Sequence, residues 1–332
     1  MTHREIFLNA LKRQRTSRPA VGSATSIITT DLMEKAGILF PDAHCNAEAM
    51  AGLAALGHTE LGFDNVMPLF SVWHESAALG CKVDWGNKNR MPDCGSHPCQ
   101  LGDELQIPAD LLTRPETRVP LKALEILRRT VGNEAAVVGK VFGPWTLGYH
   151  LFGVEDFLVG TMLDPDSVRK ALDKLKEVTV QFGKAQLDAG ADALTLADHA
   201  TRDLCSPDSY RDFLLPLHRE LKERLGCPII LHICGDTADR IGYIGQTGID
   251  CFHFDSKVPC AAARKLAGEK LALMGGTSNF NIVLAGNEEI IKKDVEEKLA
   301  NHIDIIGPEC AVPLNAPCNN LKTLARIPRA SE

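Results

Sequence analysis

Three observations predict an α/β protein: a (β/α)8 TIM barrel with an N-terminal helical extension. From about residue 120 onward, short apolar runs alternate with helical stretches at least five times, and strands separated by helices form parallel sheets through right-handed crossovers. No early glycine-rich turn of the dinucleotide-binding kind is present, which favours a closed barrel over a doubly wound sheet. Polar residues also fall where apolar runs stop, at Asp198, at His232 with Cys234, at Asp255 and at Cys310. The C-terminal ends of barrel strands are where such folds carry their working groups.

The elements follow in order. Arg4 to Arg13 and Asn46 to Gly57 place apolar residues at helical spacing and make residues 1–65 the helical extension. Met67 to Arg118 is rich in Gly, Pro, Asn and Cys and reads as long loops and short strands over one face. It belongs with residues 66–332 as the barrel, so the 332 residues form a single domain. Leu121–Val131 reads as a helix and Ala136–Val141 as a strand ended by Gly143-Pro144. Pro165–Ala189 is a long helix, and Ala193–Ala197 a strand ending at Asp198. A helix over Pro207–Leu225 leads to the strand Pro228–His232, and a helix over Thr237–Thr247 to Cys251–Phe254, which ends at Asp255. Leu271–Met274 runs into Gly275-Gly276, and a helix near Glu288–Asn301 precedes Ile303–Ile306.

Composition narrows the function classes. The chain is 45% hydrophobic and 24% charged with a formal charge of -7, which argues against nucleic-acid or membrane partners. The N-terminus has no apolar signal core, and no apolar run reaches bilayer length; the expected location is cytoplasmic. Eleven cysteines in a reducing compartment are not a disulfide framework. Cys205, Cys227, Cys251 and Cys260 read as small apolar residues.

The remaining thiols suggest a metal. His232 and Cys234 leave their strand on the same face, and the turn Gly307-Pro308-Glu309-Cys310 carries another thiol. One imidazole and two thiolates suit zinc and leave a fourth, exchangeable position, which is the plan of a catalytic rather than a structural site. A rival cluster, Cys94-Gly95-Ser96-His97-Pro98-Cys99, offers three closely spaced ligands on a loop.

His232-Ile233-Cys234-Gly235 with Cys310 downstream resembles the zinc signature of the methylcobamide:coenzyme M methyltransferases, within the uroporphyrinogen decarboxylase superfamily. Lys88-Asn89-Arg90, Gly143-Pro144-Trp145-Thr146-Leu147, Asp188-Ala189-Gly190-Ala191-Asp192 and Ser206-Pro207 with Tyr210-Arg211-Asp212-Phe213 agree with it, almost end to end. The resemblance implies a (β/α)8 barrel whose Zn2+ is held by His232, Cys234 and Cys310, with Asp255 as the acidic residue that completes the metal site without substrate. Asp198 is expected to support a metal-bound histidine or to touch the cofactor. The implied activity moves a methyl group from methylcobalamin to a thiol such as coenzyme M, because metal coordination strips a thiol's proton at neutral pH. The string Asp42-Ala43-His44-Cys45-Asn46-Ala47 lacks the glycine of a corrinoid-binding Asp-x-His-x-x-Gly, so the methyl donor is expected to be a separate methylated corrinoid protein. Tetrahydrofolate is the alternative acceptor, and a zinc-stabilised docking subunit without catalysis is a third reading. The stretch Arg18-Pro19-Ala20-Val21-Gly22-Ser23-Ala24 lacks the arginine cluster that holds porphyrin carboxylates, which argues against a decarboxylase. Lys88 and Arg90 stand as candidate anion contacts.

Overall fold

The computed structural model describes residues 1–329. Its ten strands are β1 Ala20–Val21, β2 Asn65–Val66, β3 Val83–Asp84, β4 Asp93–Cys94, β5 Ala136–Phe142, β6 Ala193–Ala197, β7 Ile229–His232, β8 Cys251–Phe254, β9 Ala272–Thr277 and β10 Ile305–Pro308. Eight form one sheet in the order β1-β10-β9-β8-β7-β6-β5-β2, every pair parallel, while β3 and β4 make a separate antiparallel hairpin. Strands β5 to β10 are buried along their length, as continuous apolar runs in an all-parallel sheet must be. The (β/α)8 barrel is therefore present as expected.

The seam between β1 and β2 is closed by side chains as much as by backbone. Asp64 N donates to Val21 O at 2.8 Å, and Val21 N donates to Asp64 Oδ2 at 2.8 Å. Asn65 accepts from Ser23 N at 2.9 Å and donates to Ser23 O at 2.8 Å. Arg18 holds Asp64 from the outside at 2.7 Å. The barrel thus begins at residue 20, inside the stretch 1–65 expected to be a helical extension. The reason it was hidden is physical: strands of two residues are too short to display a period.

Other boundaries agree or shift by at most six residues, with two informative exceptions. Pro207–Leu225 is helical throughout but contains a π-helical turn at Tyr210–Leu214 before Leu215–Leu225. Pro216 has no N–H to donate backwards, and Asp212 O is taken instead by Arg169 Nη1 at 3.1 Å. The expected helix Thr237–Thr247 contracts to Ile241–Ile244 among turns. Gly143-Pro144 ends β5 as expected and opens two further helices, Pro144–Phe152 and Val154–Leu163. Among the described residues no helix is long and apolar enough to cross a membrane.

Candidate metal centre at the barrel mouth

His232 is the last residue of β7 and Cys234 lies two positions beyond it. Gly235 then turns the chain with φ +81°, and a side chain there would strike Thr201. Its N–H donates to Asp255 Oδ2 at 2.8 Å, tying this turn to the end of β8. Cys310 sits two residues past β10 on a turn held by Glu309, whose carboxylate accepts from Ser256 N at 3.0 Å and Asn279 N at 2.7 Å. These strand ends bring three soft donors together. His232 Nε2 lies 3.0 Å from Cys234 Sγ, the two sulfurs are 2.9 Å apart, and Cys310 Sγ is 3.5 Å from His232 Nε2. Among the described residues this is the one His/Cys/Asp/Glu group compact enough to hold a metal ion.

The donor set fits zinc. A tetrahedral zinc spaces two thiolates by about 3.8 Å, so the ligand atoms are already gathered and need only spread. The histidine tautomer is fixed from behind. His253 Nε2 lies 2.8 Å from Pro308 O, which can only accept, so Nε2 carries that proton. Burial, reinforced by His232, pushes the His253 pKa far down and keeps its ring neutral, which makes Nδ1 an acceptor. His232 Nδ1, 2.7 Å away, must then donate to it, leaving the Nε2 lone pair aimed at the sulfurs. The thiols share one proton unequally. The hydrogen bond from Cys234 drives Cys310 down towards thiolate against the effect of burial, and the same bond with burial drives Cys234 up.

The other expected residues fall nearby in different roles. Asp255 is half-buried at its strand end but outside the three-donor group; its oxygens accept from Gly235 N and, at 3.0 Å, from Lys257 N. Asp198 is buried in the cavity wall with both oxygens occupied. Oδ1 accepts from Thr146 N at 2.8 Å and Thr146 Oγ1 at 3.0 Å, and Oδ2 accepts from His218 Nε2 at 3.0 Å. It positions the helix Pro144–Phe152, and the histidine support expected of it comes from His253 instead. Gly143 allows this approach, since a Cβ there would lie 2.1 Å from the Asp198 carboxylate carbon.

The donors open onto a cavity of about 460 Å3, lined by Phe70, Trp73, Phe142, Tyr149 and His150 and by Lys140. Trp145 lies behind it in the core, fully buried. Lys88 and Arg90 do not reach this cavity: they pair with Glu34 at 3.1 Å and Asp84 at 2.6 Å on the surface. The Cys94–Cys99 loop does not gather its donors. Cys94 Sγ turns to Lys82 O at 3.2 Å, and His97 Nδ1 donates to His150 O at 2.9 Å. Arg18 is committed to Asp64 and is not in the cavity wall.

Two functional candidates escaped the sequence reading. His253 stands inside Cys251–Phe254, where alternation with apolar residues was the available signal. Lys140 stands alone in an apolar strand, and a lone charge within a buried run was the warning.

Comparison with known proteins agrees with this geometry. Residues 2–330 match the family model described as uroporphyrinogen decarboxylase (URO-D). A methylated-thiol--coenzyme M methyltransferase of Methanosarcina mazei is 34% identical over 300 residues, covering 90% of this chain and 81% of that protein. Methylcobamide:CoM methyltransferase MtaA of Methanosarcina barkeri is 31% identical over 321 residues, covering 96% of this chain and 95% of that one. A solved methyltransferase structure from Methanosarcina mazei superposes with a TM-score of 0.96 at 30% identity, covering 100% of this chain and 99% of the other.

Proposed function

The chain belongs to the uroporphyrinogen decarboxylase family, and from its place beside the methylcobamide:CoM methyltransferases we propose that it is a zinc-dependent enzyme moving a methyl group from a methylated corrinoid to a small thiol, coenzyme M or a close analogue. The observation that carries this reading is the convergence of His232 Nε2, Cys234 Sγ and Cys310 Sγ on the wall of the mouth cavity. Zinc, when bound, supplies the positive charge that keeps an acceptor thiol deprotonated at neutral pH. Every other task falls to the chain. His253 fixes the tautomer and direction of His232. Asp255 and Glu309 hold the turns that carry Cys234 and Cys310. Phe70, Trp73, Phe142 and Tyr149 keep water from the reacting sulfur.

The methylcobamide is proposed to arrive on a separate corrinoid protein docking over the mouth, in the cytoplasm, where the eleven thiols stay free. The reported relatives are named for coenzyme M and none for tetrahydrofolate, which supports the thiol acceptor. The direct experiment mixes the purified protein with methylcobalamin, follows the cobalamin spectrum with coenzyme M or tetrahydrofolate added separately, and assays zinc. Demethylation by coenzyme M that disappears on chelation and returns with zinc is the expected result. Turnover with tetrahydrofolate alone would overturn the acceptor; silence with both, and with a protein-bound methylcorrinoid, would leave a docking subunit.

Asp255 is proposed to act as the acidic partner of the metal site through the Cys234 turn. Asp255→Asn keeps an acceptor for Gly235 N–H and removes the charge. Zinc content is expected to hold while the rate falls by roughly tenfold, the scale of a lost supporting contact; an unchanged rate would remove Asp255 from the mechanism.

A further inference from the structure

Lys140 is a buried cation without a partner. It lies in β5, whose apolar run it interrupts, and is 3% exposed. Its backbone is fully paired with the Gln186 side chain, N to Oε1 and O to Nε2, both at 2.8 Å. Its ammonium, among the described residues, makes neither a hydrogen bond nor an ion pair; the contact recorded for it is with the Phe142 ring, 5.4 Å from the centroid. Glu75 is the carboxyl that acts on it electrostatically, yet Glu75 spends Oε1 on Phe142 N at 2.9 Å, leaves Oε2 without a partner, and is buried enough to be pushed up to about 7. That carboxyl compensates the ammonium only in part near neutrality. A buried ammonium is costly unless something accepts its protons.

Its position says what that something is. Lys140 lines the mouth cavity together with His232, Cys234 and Cys310, and among the described residues no other lysine or arginine does so. Strand register puts Phe142, Ala197 and His232 in one row, and Lys140 with Thr195 and Ile230 in the row two residues deeper, roughly 6 to 7 Å down the strand. A small molecule whose sulfur meets the three metal donors therefore has one lysine within the same cavity, rooted in the row below His232 with its ammonium reaching towards the Phe142 ring.

We propose that Lys140 is the anion anchor of the acceptor subsite: its ammonium binds the sulfonate or carboxylate end of a short anionic thiol whose sulfur lies at His232, Cys234 and Cys310. This rests on the methyltransferase reading for the thiol, but the anion site stands or falls separately. It also selects between acceptors of one reaction, since an uncharged thiol gains nothing from it.

The test uses the zinc-loaded protein and two thiol-free probes, ethanesulfonate and propionate, with binding read by calorimetry. Wild-type protein is expected to bind at least one of them, and the stronger probe identifies the anion class. Lys140→Met is expected to weaken that binding on the order of 10- to 100-fold, the value of a charge-assisted hydrogen bond, with zinc content unchanged. Lys140→Arg should restore most of it, and Lys140→Gln replaces the methionine variant if that one does not fold. In turnover with methylcobalamin, Lys140→Met should raise KM for coenzyme M while leaving 2-mercaptoethanol nearly unaffected. Equal binding by wild type and Lys140→Met, or no binding of either probe by wild type, would overturn the anchor. Lys140-dependent anion binding without methyl transfer to any thiol would keep the anchor and sink the methyltransferase reading instead.

Discussion

The least conspicuous residue of the site is the one whose loss is easiest to interpret. His253 does not line the mouth cavity, yet it fixes which nitrogen of His232 carries the proton. Replacing it with phenylalanine preserves the ring volume among buried neighbours but strands the Pro308 carbonyl and His232 Nδ1. His232 is then free to take the wrong tautomer, and zinc affinity is expected to fall roughly 10- to 100-fold, as it does when the outer partner of a metal-bound histidine is lost. Competition with a chromophoric chelator measures this directly. His253→Gln, which can both accept and donate, should retain most of the affinity. If the phenylalanine variant holds zinc like wild type, the ring behind His232 is packing and nothing more.

At the scale of elements, one close approach links β5, β6 and the helix between them. Asp198 reaches under the first turn of Pro144–Phe152 because Gly143 has no side chain, and there it binds the Thr146 N–H and hydroxyl. Gly143→Ala would place a methyl group onto that carboxylate and should cost about 1–3 kcal/mol, the usual penalty for overpacking. In an Asp198→Gly background the same substitution should cost much less, because the carboxylate and the Cβ, which would lie 2.5 Å from the new methyl group, are both gone. Denaturant unfolding of the four proteins closes this cycle, and equal penalties in both backgrounds would mean that Gly143 matters for some other reason. The same elements explain what could be read without coordinates. The gathering of His232, Cys234 and Cys310 was legible because a polar residue at the end of a buried apolar run has few reasons to be there, whereas Asp255, at such an end too, turns to the backbone of Gly235 and Lys257. β1 and β2 were not, since two residues carry no period and their pairing depends on Asp64 and Asn65. Asp198 was placed at the right strand end, but its partners Thr146 and His218 lie 52 and 20 residues away and no local pattern announces them. Lys140 read as one charge in a strand; that it faces the cavity follows from the barrel and not from its neighbours in sequence.

For the molecule as a whole, buried neutral histidines set the acid limit. Burial pushes His44 down to about 2, and His74 and His150 each to about 3. In the unfolded chain all three titrate near 6.5. Between about pH 6.5 and pH 3 the unfolded state therefore binds protons the folded state refuses, so their stabilising contribution is present above 6.5 and is lost as pH falls. Glu75 works in the opposite direction: burial raises it to about 7, so its contribution is present below its unfolded value near 4.5 and is lost as pH rises through 7. For these four groups the net approaches about two protons by pH 4.5, or about 2.7 kcal/mol per pH unit, and His253 and His199, which burial also drives down, add to the same side. The three rings also touch tryptophans, which gives the effect an optical reporter. His150 packs on Trp73 at 4.1 Å between ring centroids, and His44 and His74 pack on Trp85 at 5.6 Å and 4.9 Å. The expected outcome is a guanidinium midpoint that falls steadily below pH 6.5, followed by tryptophan fluorescence, and a fold that fails well before the ordinary carboxylates titrate. His44→Gln should flatten the slope by about one proton, because glutamine cannot charge. A midpoint unchanged between pH 6.5 and 4.5 would mean that these histidines reach water and take up their protons in the folded state.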